Sequence, residues 1–292
     1  MSTAGGLTFR GRGVTLHEDE GRGGRLLGRR ATREASFRPM LRELAEYPNS
    51  FGPLGPRDER IETVRFTLCI GPGRKWNTVQ RQRFRPDEVG DVLEEVRSLL
   101  RTRGRSSTQW EVGSSAEPQN LVELLLEHGL VRDRDPFAVA LVLNSEPPPA
   151  APGILARRIK TFEEFTAACE IQRAAFGMPE DEVVEARAML PERWRDTPNL
   201  MHAAWVDGVM VSAGTCAPTA HGLLLYGGAT LPHARGRGAY RALLRARWEE
   251  AVGRGTPTLI TQGGSMSRPI LERLGFERVG HVHMLLDEFG RL

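Results

Sequence analysis

One segment of the sequence, Gly228–Tyr240, combines residue types that bind phosphate groups. It reads Gly-Ala-Thr-Leu-Pro-His-Ala-Arg-Gly-Arg-Gly-Ala-Tyr and stands between a strand-like apolar run and a long amphipathic helix. Glycine lets backbone amides approach a ligand, and the first four N–H groups of a helix have no partner within it. The helix dipole adds positive potential, and Arg235 and Arg237 add charge-assisted contacts. The pattern predicts an anion site, best suited to phosphate or pyrophosphate.

The segment alone does not decide between this site and an ordinary strand–helix junction. It contains neither GxxxxGK[ST], the P-loop pattern, nor GxGxxG, the Rossmann pattern. A glycine-rich junction that binds nothing explains the same residues. The elements around it must therefore carry part of the argument.

The second half of the chain alternates between strand and helix signals. Its order, β-α-α-β-β-β-α-β-α-β, favours an α/β fold with a mixed central sheet flanked by helices. Asp207-Gly208 is a hairpin signal, and Gly253 and Gly255 end the clearest helix. The predicted strands are 154–160, 200–206, 209–217, 222–230, 256–261 and 279–286, and the predicted helices are 162–176, 180–195, 235–252 and 269–274.

Composition divides the chain into two halves. The 292 residues are 40% hydrophobic and 26% charged, which is ordinary for a globular protein of about two domains. A Pro-rich linker is predicted at 144–153, because consecutive prolines continue neither helix nor sheet. We expect a Gly/Arg-rich arm or irregular first element at 1–35. One lobe is then expected at 36–143 and a second domain at 154–292.

Several protein classes are excluded or disfavoured. The sequence contains no apolar run long enough for a membrane span and no secretory leader, so a membrane association is not expected. Its three cysteines are widely spaced and predict neither disulfides nor a metal site, which favours the reducing cytoplasm. The net charge of +3 does not by itself indicate nucleic-acid binding, although 38 of the 40 basic residues are arginine.

The segment from Pro232 to Tyr240 resembles the pyrophosphate-binding motif R/Q-x-x-G-x-G/A of the GNAT superfamily of N-acetyltransferases. Further on, Ser265–Phe276 (SMSRPILERLGF) resembles the short helix and Leu-Gly-Phe ending of the last motif in that family. The element order of 154–286 also matches. The resemblance thus covers the whole second half of the chain.

The resemblance implies a transferase that uses acetyl-CoA as a co-substrate and holds no metal. It implies that the backbone of Ala229, Thr230 and Leu231 lines the pantetheine between two splayed strands. It also implies that the pyrophosphate is wrapped by Arg235, Gly236, Arg237, Gly238, Ala239 and Tyr240. The last position departs from the family, which usually has Gly or Ala there; a tyrosine fits if its side chain points into the core.

The usual catalytic side chains of the family are missing. Many members carry a glutamate near the start of the strand before the loop, where this chain has His221-Gly-Leu-Leu-Leu-Tyr226; many carry a tyrosine at the position of Leu271. His221 is the candidate base, because imidazole titrates near neutrality, and a turn histidine is the alternative. Ser267 is the candidate proton donor, as is Ser265, and a helix N-cap is the alternative for both. Tyr226 fits a core residue, a groove wall or an acid.

The first half of the chain resembles a degenerate repeat of the second half. The segment 124–130 followed by the apolar run 137–143 parallels 270–276 followed by 279–286. The helix that would correspond to 235–252 begins near Arg85 without an Arg-Gly-Arg-Gly turn. Asp87, Glu88 and Asp91 crowd its start and would repel a pyrophosphate. We expect a degenerate GNAT lobe that adds packing area and a wall of the acceptor site, with Arg74 and Trp76 as candidate lining.

Three functions stay open at this point. The leading one is acetyl transfer to a primary amine of a small molecule or peptide, and the sequence does not choose the acceptor. The second is a non-catalytic CoA-binding or regulatory module, favoured by the missing side chains. The third is nucleic-acid binding by the arm, which is disfavoured. The remaining histidines, His202, His233, His281 and His283, are interpreted as structural, and a homodimer is left open.

Overall fold

The computed structural model describes residues 38–73, 76–177, 180–196 and 200–290. The arm predicted at 1–35, and Arg74, lie outside these residues. In the described part, strands of both halves join into one mixed sheet of eleven strands with helices on both faces. The predicted α/β class with a mixed central sheet is confirmed.

The first half contributes five strands and four helices to the described structure. The elements are α1 (38–46), α2 (Pro48–Phe51), β1 (Glu59–Glu62), β2 (Thr67–Ile70), β3 (Asn77–Gln80), α3 (Val89–Arg101), β4 (Ser107–Gly113), α4 (Leu121–Glu127) and β5 (Val131–Leu143).

The second half follows the predicted order closely. The elements are β6 (Ile154–Arg158), α5 (Phe162–Phe176), α6 (Glu180–Ala188), α7 (Leu190–Asp196), β7 (Leu200–Val206), β8 (Val209–Thr219), β9 (Gly222–Thr230), α8 (Ala239–Gly253), β10 (Leu259–Gly263), α9 (Arg268–Arg273) and β11 (Glu277–Glu288). The single helix predicted at 180–195 is wrong, since α6 and α7 are separate helices. Pro191, in the first turn of α7, has no N–H for a helical bond from a preceding turn.

The two halves exchange their last strands. The sheet order is β1-β2-β3-β4-β11-β5-β10-β9-β8-β7-β6. Strand β11 from the second half lies antiparallel between β4 and β5, and β5 from the first half lies antiparallel to β10. The repeat anticipated from the sequence is visible as β3-α3-β4-α4-β5 and β9-α8-β10-α9-β11. Each repeat therefore ends in a strand that pairs with the penultimate strand of the other.

Side chains alternate between the two faces of the sheet and so define the layers. On one face, α8 and α9 pack on the second half through Leu244, Trp248 and Leu271. On the opposite face, α5 and α7 cover β7 to β9, and α1 places Leu41 and Leu44 over β9 and β10. A helix of the first half thus covers strands of the second.

The core of the first half needs β11 from the second. Trp110 of β4 is fully buried among apolar residues of α3 and α4, and Leu285 of β11 belongs to the same core. Arg97 of α3 binds Asp287 of β11 through two hydrogen bonds, of 2.8 and 3.0 Å. Residues 144–153 contain no helix or strand, and a domain boundary there stays a prediction. No helix in the described ranges is long and apolar enough to cross a membrane.

Candidate active site

The strands β9 and β10 separate and leave an opening at their carboxyl ends. Parallel pairing joins Leu223 to Leu259 and Leu224 to Ile260. One step further, the Thr261 hydroxyl donates a hydrogen bond of 3.1 Å to the carbonyl of Leu225. Beyond that point β9 continues to Thr230 while β10 ends at Gly263. The backbone of β9 after Leu225 therefore faces a gap of the kind expected to receive the pantetheine.

A bulge shapes β9 at this opening. Ala213 pairs with Ala229 and Thr215 with Tyr226, so one additional residue is accommodated on β9. Gly227 has φ of 55°, in the region that favours glycine, and its carbonyl accepts a 2.8 Å hydrogen bond from the Gln172 side chain of α5. The bulge therefore changes the direction of the backbone N–H groups that follow Gly227 in β9.

The loop after β9 ends in an open helix N-terminus. Gly236 and Gly238 have φ of 76° and 90°, and a Cβ on Gly236 would meet no atom within 4 Å. Gly238 is the N-cap of α8 and has no side chain to offer the first amides. The first turn contains no acidic residue. The amides of Ala239 to Arg241 thus remain available to an anion.

The two loop arginines differ in their contacts. Arg235 is exposed, and its Nε donates a hydrogen bond of 3.3 Å to the carbonyl of Thr230, which holds the guanidinium beside the end of β9. Arg237 is also exposed and forms a 2.7 Å ion pair with Asp207. Arg235 therefore offers the more available positive charge.

The corresponding helix start in the first half is already neutralised. The Glu88 carboxylate accepts a 2.8 Å hydrogen bond from the backbone N–H of Arg85, and Arg85 pairs with Asp87 at 3.0 Å. Asp91 follows in the first turn of α3. These carboxylates place negative charge where a pyrophosphate would need positive charge.

The residues predicted to bind pantetheine and pyrophosphate lie together at the carboxyl end of β9 and at the start of α8. Ala229 is buried under α5, and the Thr230 hydroxyl lies 2.9 Å from that of Ser212. Leu231 begins the turn that leads to α8. Tyr240 packs its ring against Gly228 and the cores under α8, so its side chain points inward from the loop. Their roles in binding stay predictions.

The two predicted catalytic residues lie at opposite ends of the neighbouring parallel strands β9 and β10. His221 is in the β8–β9 turn, before β9 begins, and the eight residues to Ala229 span about 26 Å of strand. Ser267 precedes α9, on the connection that leaves β10 at the edge of the opening, and occupies the N-cap position. Its side chain forms no capping hydrogen bond there. Of the two, Ser267 is at the edge where the opening lies; the catalytic roles of both stay predictions.

Helices α1 and α2 of the first half form a wall beside the opening. The Tyr226 hydroxyl of β9 donates a 3.2 Å hydrogen bond to the carbonyl of Pro48 in α2, and burial raises the pKa of this phenol. The Gln262 side chain of β10 donates one of 3.0 Å to the carbonyl of Glu46. Trp76 is in the β2–β3 turn and 61% exposed, with four strands between β3 and β9 in the sheet order. It is therefore not among the residues that form this wall.

A buried polar network that the sequence reading missed continues from this wall. The Glu111 carboxylate accepts a 2.7 Å hydrogen bond from Gln80, and burial raises its pKa. Gln80 in turn accepts hydrogen bonds of 2.8 Å from the backbone and hydroxyl of Ser50 in α2. The alternation over Gln109–Val112 assigns Glu111 to the polar face of β4, so the sequence pattern gave no signal that it is buried.

The histidines have protein neighbours that fit structural roles. His202 is buried, with Glu250 at 3.7 Å and the Cys216 sulfur at 3.7 Å, and burial lowers its pKa to about 3. His281 and His283 contact the Phe137 ring. In the ranges that the structure describes, no three His, Cys, Asp or Glu side chains are grouped to hold a metal ion.

Several solved structures share this architecture. A GCN5-related N-acetyltransferase from Kribbella flavida is 20% identical, with a TM-score of 0.60, over 80% of this chain and 91% of the other. A tandem GNAT protein from the clavulanic acid biosynthesis pathway is 16% identical, with a TM-score of 0.57, over 89% and 96%. A GCN5-related N-acetyltransferase from Sphaerobacter thermophilus is 18% identical, with a TM-score of 0.55, over 77% and 80%. No protein-family profile and no curated protein sequence matches the chain.

Proposed function

Because the chain has the GNAT fold in a tandem arrangement, we propose that it is an acetyl-CoA-dependent N-acetyltransferase acting on a primary amine of a small molecule or a peptide. The observation that carries the proposal is the open N-terminus of α8, with Arg235 beside it, at the edge where β9 and β10 separate. Such a site suits a diphosphate, and the gap suits an extended chain attached to it.

The residues of the opening fit CoA in type and placement. Gly236 and Gly238 bring backbone to the surface, and Arg235 adds a charge to the α8 amides. The β9 backbone after Leu225 would pair with the pantetheine amides. When bound, acetyl-CoA supplies an activated acyl group. The protein residues would hold it in line with the amine, and that alignment supplies much of the expected rate gain.

Titration calorimetry with CoA tests this site directly. Arg235→Glu is expected to weaken CoA binding at least tenfold, because it places like charge beside the diphosphate. Arg134→Glu, on an exposed part of β5, makes the same charge change away from α8 and is the matched control. Equal affinities of the wild type and the Arg235 variant would show that the loop does not bind the diphosphate.

A second candidate is a CoA-binding module without turnover. It is favoured by the position of His221, about 26 Å of strand from Ala229, and by the hydrogen bond that the Tyr226 phenol donates to Pro48. Thiol release measured against a panel of amines and amine-bearing peptides separates the two candidates. Binding of CoA without release for any amine supports the module. Cytoplasmic localisation and a homodimer remain predictions.

A further inference from the structure

An arginine is buried in the second half without the partners that a buried charge requires. The side chain of Arg247, on the inner face of α8, is 0% exposed. Its Nε and Nη2 atoms have no hydrogen-bond partner in the described ranges, and no carboxylate there lies within 4 Å of the guanidinium. Burying a charge in this way is costly, so a structural role alone explains Arg247 poorly.

Two glycines of the sheet make the space for this guanidinium. A Cβ on Gly214 of β8 would lie 1.3 Å from Nη2 of Arg247, and a Cβ on Gly228 of β9 would lie 3.4 Å from Nη1. Any side chain at 214 would thus displace the guanidinium. The two glycines of β8 and β9 therefore determine where the Arg247 guanidinium lies.

The charge lies next to the strand that borders the opening. Gly228 follows the β9 bulge, beyond the point where β9 and β10 separate. The hydroxyl of Tyr240 would be 3.2 Å, and its Cε2 atom 3.0 Å, from a Cβ on the same Gly228. The Tyr240 phenol and the Arg247 guanidinium therefore both lie against the β9 backbone at Gly228, which borders the opening.

The titratable groups around Arg247 do not neutralise it. Burial lowers the pKa of His202 on β7 to about 3, which keeps the imidazole neutral. Burial raises the pKa of Cys216 on β8 to about 11, which keeps the thiol protonated. Glu250 of α8 is engaged by Arg254 at 2.7 Å. The pKa of Tyr240 is raised by burial, and the Arg247 charge opposes that rise.

We propose that Arg247 and Tyr240 form a subsite for the sulfur of CoA, in which the guanidinium charge favours the thiolate and the phenol donates a hydrogen bond to it. The inference rests on the proposed function, because CoA must occupy the gap beside Gly228. A thiolate is the anion that acyl transfer releases, and an unneutralised cation in a region of low dielectric stabilises it strongly. Tyr240 would be the contacting group, and Arg247 would act on the sulfur through space.

The ionisation of bound CoA tests the subsite without an amine acceptor. The thiolate is followed by its ultraviolet absorbance as pH rises, and CoA free in solution is titrated alongside it as the reference. In the wild type the pKa of the bound thiol is expected to fall by about one unit or more. Arg247→Met is expected to return it close to the free value, and Arg247→Lys to keep most of the shift. Tyr240→Phe is expected to lose part of it.

Controls separate this proposal from the proposed function. Arg245→Met removes an arginine of the same helix that pairs with Glu249 at 3.2 Å, and is expected to leave the thiol pKa unchanged. CoA that binds with the same thiol pKa in wild type and Arg247→Met would overturn the subsite but not the CoA site. No binding of CoA to the wild type would overturn both. If Arg247→Met weakens a dicarboxylic acyl-CoA more than acetyl-CoA, the charge serves an acyl carboxylate and the subsite is wrong.

Discussion

The packing of Arg247 against Gly214 gives a stability prediction that can be worked from the structure. Gly214→Ala adds a methyl group at a point 1.3 Å from Nη2 of a fully buried side chain. Adding a methyl group to a filled core typically costs 1–3 kcal/mol. Because the guanidinium must also leave its space, we expect the upper end, about 3 kcal/mol. For a chain of this size, that corresponds to a fall in Tm of roughly 6–12 °C.

The assay is chemical and thermal unfolding of four proteins that complete a double-mutant cycle. They are the wild type, Gly214→Ala, Arg247→Met and the double variant. Arg247→Met alone is expected to be neutral or stabilising, by about 1 kcal/mol, because it removes an unpaired buried charge. The double variant is expected within about 1 kcal/mol of wild type, since the flexible methionine leaves room for the methyl group. Gly264→Ala, whose Cβ would meet no atom within 4 Å, is the control.

Two results would refute this reasoning. If Gly214→Ala changes the free energy of unfolding by less than about 0.5 kcal/mol, as a surface change would, the guanidinium does not fill the space described. If the two substitutions are additive, the residues do not share that space.

Three other predictions concern the loop, a buried histidine and the pair that joins the halves. Gly238→Val is expected to lower the free energy of unfolding by about 2–3 kcal/mol, because a β-branched residue is strained at φ of 90° and its Cβ would lie 3.1 Å from the Cβ of Ala151. It is also expected to weaken CoA binding at least tenfold in calorimetry, and an unchanged affinity would contradict the prediction. His202, whose folded pKa is about 3 against 6.5, keeps full stability above 6.5 and loses it as pH falls towards 3. Urea unfolding at pH 6.5 and 4.5 should therefore show about 2–3 kcal/mol more loss for wild type than for His202→Gln, and equal losses would contradict it. Asp287→Asn should lower the free energy of unfolding in urea by about 2–3 kcal/mol, because it leaves Arg97 without its carboxylate partner. Asp207→Asn, which changes an exposed pair, should lower it by less than about 1 kcal/mol, and equal effects of the two substitutions would contradict the prediction.

Most elements of the second half were predictable because they depend on local chemistry. The hairpin at Asp207-Gly208 and the helix ended by glycine are determined by short-range backbone preferences. The single helix predicted at 180–195 was wrong because proline is compatible with the first turn of a helix, so Pro191 lies in the first turn of α7 within an otherwise helix-forming segment. The anion site at the start of α8 is a prediction from the Gly and Arg residues of the loop together with the order of the elements around it.

The pairing of the strands was not predictable in the same way. The apolar runs in β5 and β11 are equally suited to either lobe, so local alternation does not say which neighbour each takes. The cover that α1 and α2 form over β9 and β10 depends on the same long-range arrangement. A sequence pattern records which side of a strand is apolar, and records nothing of what lies against it.

Arg247 was missed although a signal was present. It stands three residues after Leu244 and four before Ala251, both buried, so the helical period places it on the inner face of α8. Charged residues are normally assigned to the solvent side, and that convention hid the position. An arginine inside an apolar stripe, opposite strands with glycine at 214 and 228, is the pattern to look for.

The exchange of β5 and β11 makes the first half depend on the strand of the described sheet that is synthesised last. Strand β4 has no antiparallel neighbour until Glu277–Glu288 leaves the ribosome, because β11 is that neighbour. During translation its edge is therefore open to pairing with other chains, which is a known route to aggregation. A ribosome that stops after β10 would release a nascent chain whose first lobe lacks its final strand, although every residue of that lobe had already been made.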